Sequence, residues 1–221
     1  MSIKSTFFSS IGQKLLLATS GLIMFLLFLI PHMGGNVLFL FGPDIFNSYA
    51  EHLHQLVPIV IGIELLMIAS ISIHMFMGFR VAFANSTAHD KRISQKSSKE
   101  RSLAARLMPY SGGMIFIFIV KHLLDFTLRS KPETMLHGET VNDVYGMLID
   151  KFSQPGNVIF YVLFMIAVAL HLSHALQSAM QTYGIYVPRE GSKAKMISTL
   201  IAIGMASTFA IIPIIAFTRT I

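Results

Sequence analysis

Five long apolar stretches, at roughly 15–41, 57–79, 108–128, 156–183 and 196–218, fix what this chain can become. A helix needs about 20 apolar residues to cross the hydrocarbon of a bilayer, and each stretch reaches that length. In hydrocarbon every backbone N–H and C=O must be satisfied without water, so runs of this kind become helices. The expectation is an all-α integral membrane protein, a bundle of five transmembrane helices forming one domain over residues 1–221. With 53% hydrophobic and 13% charged residues and a mean hydropathy of +0.65, an ordinary soluble domain is excluded. The first stretch is too long for the core of a secretion signal and no convincing cleavage site follows it, so it reads as a retained helix. Pro58, Pro109 and Pro155 lie near helix starts, while Gly42-Pro43 and Gly184 mark stops. No internal repeat is visible.

The net charge of +6 is distributed as topology requires, and does not point to nucleic acid. Lys4, Lys14, Arg80, Lys91, Arg92, Lys96, Lys99, Arg101, Arg106, Arg189, Lys193 and Lys195 fall on one side of a five-helix chain. Arg129, Lys131, Lys151 and Arg219 fall on the other, and Lys121 lies within a span. Twelve against four puts the N-terminus and the 80–107 connection in the cytoplasm. The first outer loop, 42–56, has no Lys or Arg. Two readings of the 84–107 segment stand: a positive-inside determinant, or a docking surface for a soluble partner.

Four of these helices carry a histidine in the apolar run: His32, His74, His122 and His171. A polar ring in lipid is expensive and is usually functional. At about 1.5 Å per residue, His32 lies roughly 15 Å from the outer end of its helix and His122 about 10 Å from its own. His74 and His171 each follow a helix-start proline by sixteen positions, about 24 Å. The rings therefore form an outer pair, His32 with His122, and an inner pair, His74 with His171. Two imidazoles on opposite faces of a haem give a six-coordinate, electron-transferring centre with no open site for oxygen. Four imidazoles on zinc fit less well, because the two depths differ by about 10 Å. The absence of Cys excludes thiolate-bound haem and any iron–sulfur cluster ligated by this chain. The pattern thus calls for two haem b groups, with iron ligands His32 and His122 outside and His74 and His171 inside. His174 is one turn beyond His171 on a similar face, so spacing does not choose between them. Gly34, Gly35, Gly78, Gly112 and Gly113 either make room for a flat macrocycle or serve close helix packing. Pro31 is placed to kink the first helix just before His32.

Other polar residues suit a quinone. Glu51, His52 and His54 precede the second helix on the outer side, and Glu64 lies within its outer half. A carboxylate or imidazole at the membrane edge can exchange the protons of a quinol. The competing readings are an interfacial cap for His52 and a buried helix–helix hydrogen bond for Glu64. Lys121 and Asp125, four residues apart, neutralise each other beside His122. Arg80 either snorkels to the cytoplasmic interface or pairs with a propionate of the inner haem. The fifth helix has no ionisable residue between Lys195 and Arg219 and reads as packing.

The strings that carry these residues resemble a known family. They are Ser20-Gly21-Leu22, Pro31-His32-Met33-Gly34-Gly35-Asn36, Phe46-Asn47-Ser48-Tyr49-Ala50-Glu51, Ile73-His74-Met75-Phe76-Met77-Gly78-Phe79-Arg80, Val120-Lys121-His122-Leu123 and Leu170-His171-Leu172-Ser173. Across all five helices the chain resembles the single-chain, dihaem cytochrome b anchor of bacterial succinate dehydrogenases and fumarate reductases. The resemblance implies a subunit that anchors a flavoprotein and an iron–sulfur protein on the cytoplasmic face. It also implies passage of electrons between the iron–sulfur protein and a membrane quinone, usually menaquinone. It places axial ligands at His32, His74, His122 and His171, favouring His171 over His174, and an acidic residue of the outer quinone site near Glu51. Some fumarate reductases of the family have a glutamate two residues before the fourth ligand; here that position is Ala169.

Two other functions fit the four-histidine pattern less closely. A dihaem cytochrome b serving a hydrogenase or formate dehydrogenase would have different soluble partners. A haem-free transporter relaying protons through Glu64, Lys121, Asp125 and the histidines would be colourless.

Overall fold

The computed structural model describes residues 9–89, 103–185 and 193–220. Lys4, Lys91, Arg92, Lys96, Lys99, Arg101 and Arg189, and most of the basic 84–107 segment, lie outside these residues. Five helices are long and apolar enough to cross a membrane: Ser10–Phe41, Val57–Ala84, Arg106–Thr127, Pro155–Thr182 and Lys193–Thr218. The protein is an all-α integral membrane protein in its spanning part. The second helix continues to His89 and the third begins at Leu103, both past the limits that hydropathy alone drew.

Two spans are interrupted by π turns. In the first, Ser10–Met24 passes through a π turn at Phe25–Leu29 into Ile30–Val37. Pro31 lies two residues past it; it has no N–H and its ring crowds the preceding turn, so the widened turn is where the helix absorbs it. In the third span a π turn occupies Leu123–Thr127, just after His122.

The connection between the first and second spans, expected as a loop over 42–56, is mostly helical. Gly42 at φ +104°, a conformation that favours glycine, lets the chain reverse, and Pro43 opens a helix Pro43–Gln55. The connection between the third and fourth spans adds a hairpin, Glu133–Leu136 paired with Glu139–Asn142, turned by His137-Gly138 with both φ positive. A short helix Val144–Phe152 follows. Asn47, 2% exposed, joins the two connections: its amide donates to Asp143 Oδ1 at 3.0 Å and its oxygen accepts from Tyr145 N at 2.9 Å. Asp143 in turn caps the short helix through Gly146 N at 2.8 Å. Phe39, Phe46, Leu148, Phe152 and Tyr161 pack with Ile212 and Ala216 of the fifth span into one apolar cluster, so this end of the bundle is capped. Lys14, Arg80, Arg106, Lys193 and Lys195 lie toward the opposite, basic end.

Candidate functional site

The first span packs on the second and fourth, the third on the fourth, and the second more lightly on the third. Four spans thus form a ring in which the first opposes the third and the second opposes the fourth. The histidines bridge both diagonals. Toward the capped end, the ring centroids of His32 and His122 are 5.9 Å apart with planes at 83°. Toward the basic end, those of His74 and His171 are 6.2 Å apart at 65°. The ring facing His74 belongs to His171; His174 sits half-buried one turn on.

An imidazole nitrogen binds a metal at about 2 Å, so two rings on opposite sides of one ion have centroids about 6 Å apart. Both pairs have that separation. Among the described residues, no group of three or more His, Cys, Asp or Glu is placed to hold a bare ion. Two ligands per pair are too few for a bare metal, so the remaining ligands would have to arrive with the group itself, as in a metal-centred macrocycle. Among the described residues, Nδ1 of His122 is buried without a hydrogen-bond partner, which a fully satisfied packing histidine would not show. Phe28 stacks on His32 at 5.0 Å and Phe118 on His122 at 5.7 Å, giving this pair apolar, aromatic walls. The residues fit a flat apolar group with axial metal.

The glycines divide. A Cβ at Gly34 or Gly113 would meet nothing within 4 Å, as room for a macrocycle requires. At Gly35 it would lie 2.6 Å from the Tyr49 ring and at Gly78 3.8 Å from Leu17, so these two serve helix packing.

The basic-end pair rests on residues that sequence reasoning missed. His74 Nδ1 lies 3.1 Å from the Leu17 carbonyl and 3.5 Å from Ser20 Oγ on the first span. His171 Nδ1 lies 3.2 Å from Ser111 Oγ on the third. Each serine is followed by a glycine beside the ring: a Cβ would lie a tight 3.1 Å from His74 Cε1 at Gly21 and an ordinary 3.5 Å from His171 Cε1 at Gly112. The signal was present in the sequence as a Ser-Gly pair upstream of each capped-end histidine. Ser20 precedes His32 by twelve residues and Ser111 precedes His122 by eleven. The π turn at Phe25–Leu29 takes up the extra residue, which conceals the repeat from a fixed helical period.

Of the other expected residues, Lys121 pairs with Asp125 at 2.7 Å. Asp125 also holds Lys151 of the cap and accepts from Tyr161 Oη at 2.8 Å, two partners not foreseen. Glu51 is half-buried and His52 and His54 exposed on the capping helix. Glu64 is exposed on the second span, so it is not a buried helix–helix contact. The structure does not bring Glu51, His52 and Glu64 into contact with the histidine pairs. Arg80 is exposed, with its guanidinium 5.8 Å from the Phe76 ring.

Five spans enclosing two facing imidazole pairs define a polytopic helical membrane protein. The chain is 27% identical over 192 residues to the succinate dehydrogenase cytochrome b558 subunit of Bacillus subtilis (strain 168), covering 86% of this chain and 89% of that one. No family profile matches the chain, and no solved structure matches it.

Proposed function

We propose that this chain is the dihaem membrane anchor of a succinate:quinone oxidoreductase complex, with His32 and His122 as axial ligands of one haem b and His74 and His171 of the other. The observation that carries the reading is the pair of ring contacts along the two diagonals, at separate depths and at metal-bridging separation. When bound, the two haems supply one-electron carriers at two depths in the membrane. The chain's residues do the rest. His32 with His122, and His74 with His171, would each hold one haem between two spans, and a haem held by two imidazoles would carry electrons without binding oxygen. Leu17 and Ser111 orient the inner rings, while Phe28, Phe118 and Phe126 keep water from the outer pair.

The basic end faces the cytoplasm and receives an iron–sulfur protein bearing a flavoprotein; the capped end faces outward. The membrane is the bacterial inner membrane, and the N-terminus is cytoplasmic. Menaquinone reacts near the capped end, where Glu51 and His52 at the lipid edge and Glu64 on the second span exchange its protons. The direction of electron flow follows from the potentials of haems and quinone.

The complex isolated in mild detergent should contain two haem b per chain with flavoprotein and iron–sulfur subunits. His122→Ala should remove the capped-end haem and leave the other visible in the reduced-minus-oxidised spectrum. A colourless, intact preparation would refute the reading in favour of a haem-free transporter. Hydrogenase or formate dehydrogenase partners would refute the choice of complex.

A further inference from the structure

The two histidine pairs are not equivalently supported. In the basic-end pair both Nδ1 atoms face groups on a neighbouring span: His74 faces the Leu17 carbonyl, and His171 faces Ser111 Oγ. Ser111 Oγ–H donates to the Met108 carbonyl at 3.1 Å, so its remaining role toward His171 is as acceptor. Ser20 likewise donates to the Leu16 and Leu17 carbonyls and lies beside His74. Both serines are buried, at 4% exposure. A ring whose Nδ1–H is held by an acceptor has its lone pair on Nε2, directed away from that neighbour. In the capped-end pair the arrangement differs. His122 Nδ1 has no partner, and His32 Nε2 is contacted by the Asn36 amide of its own helix at 3.3 Å.

We propose that Ser111 and Ser20 are positioning residues that hold His171 and His74 in the Nδ1-protonated tautomer, presetting the basic-end pair alone for axial ligation through Nε2. The proposal rests on the dihaem reading above. A ligating imidazole that donates its second N–H is oriented and made more basic, and loss of such a partner commonly weakens metal retention by about 10–100-fold. A more basic ligand favours the ferric state, so removing the acceptor raises the reduction potential of that haem only. The effect should be graded by contact. Ser111 Oγ lies 3.2 Å from His171 Nδ1 and Ser20 Oγ 3.5 Å from His74 Nδ1, while each ring also has a backbone acceptor, the Met108 and Leu17 carbonyls, that remains when its serine is removed.

The test is a redox titration of the intact complex, with low-temperature EPR of each ferric haem, for wild type, Ser111→Ala, Ser20→Ala and Ser111→Thr. His122→Ala identifies which signal belongs to which pair. In Ser111→Ala the basic-end haem should shift to higher potential with altered g values, or be lost, while the capped-end haem is unchanged. Ser20→Ala should shift it less, and Ser111→Thr, which keeps the hydroxyl, should match wild type. Unmoved potential and g values in both alanine variants would overturn the proposal. So would a shift of the capped-end haem, or a threonine variant as perturbed as the alanine one. A wild-type complex without haem would instead overturn the dihaem reading itself.

Discussion

Lys151, on the short helix of the cap, forms an ion pair with Asp125 of the third span, and so fastens the extramembrane cap to the bundle beside His122. Asp125 is 8% exposed and also holds Lys121 and Tyr161. The carboxylate is what allows two lysines to sit there. Removing one partner of a buried pair leaves an uncompensated charge and costs about 3–5 kcal/mol. Asp125→Ala should therefore lower the thermal transition of the detergent-solubilised complex strongly. Asp125→Asn, which still accepts from Tyr161, should lower it less. Equal melting of wild type and Asp125→Ala would show that the ion pairs contribute nothing.

Gly35 and Gly34 are adjacent but should respond oppositely to alanine. A Cβ at Gly35 enters the Tyr49 ring at 2.6 Å, and forced overpacking costs about 1–3 kcal/mol. Gly35→Ala should loosen helix Pro43–Gln55, seen as faster proteolysis there. Gly34→Ala meets no protein atom, so any haem loss it causes would report the macrocycle's position.

Gly21 and Gly112 give a second contrast. A Cβ at Gly21 would sit 3.1 Å from Cε1 and 3.3 Å from Nδ1 of His74, closer than most real contacts. At Gly112 the nearest His171 atom is at an ordinary 3.5 Å. On the proposed dihaem function, Gly21→Ala should displace the His74 ring and deplete the basic-end haem, whereas Gly112→Ala should keep it. Haem content per chain, measured as the pyridine complex, distinguishes them.

Asn36 holds the nitrogen of His32 that would ligate iron, and its Nδ2 also donates to the His32 carbonyl at 2.8 Å. Ligation has to displace the ring contact, worth about 1 kcal/mol for a neutral hydrogen bond. Asn36→Leu should hold the capped-end haem about fivefold more tightly, measured by haem transfer to an apo-acceptor protein. Weaker retention would mean that Asn36 supports His32 in the loaded state.

What the sequence determined is what each segment needs from its solvent. Span length and the pile-up of Lys and Arg at one end are local properties, set by hydrocarbon thickness and membrane charge, so the five spans were legible. The presence of a costly imidazole in each of four spans was legible for the same reason. Helix rotation is not local. Whether His171 or His174 faces His74 depends on how the fourth span packs against the first, third and fifth, and one residue absorbed by the π turn at Phe25–Leu29 shifts the phase of everything after it. Only the tertiary structure could set Ser20 beside His74 and Ser111 beside His171, across fifty-four and sixty residues of chain. It alone brought Lys151 to Asp125 and made a capping helix of what hydropathy marked as a loop, because those contacts come from packing between segments whose separate preferences carry no record of one another.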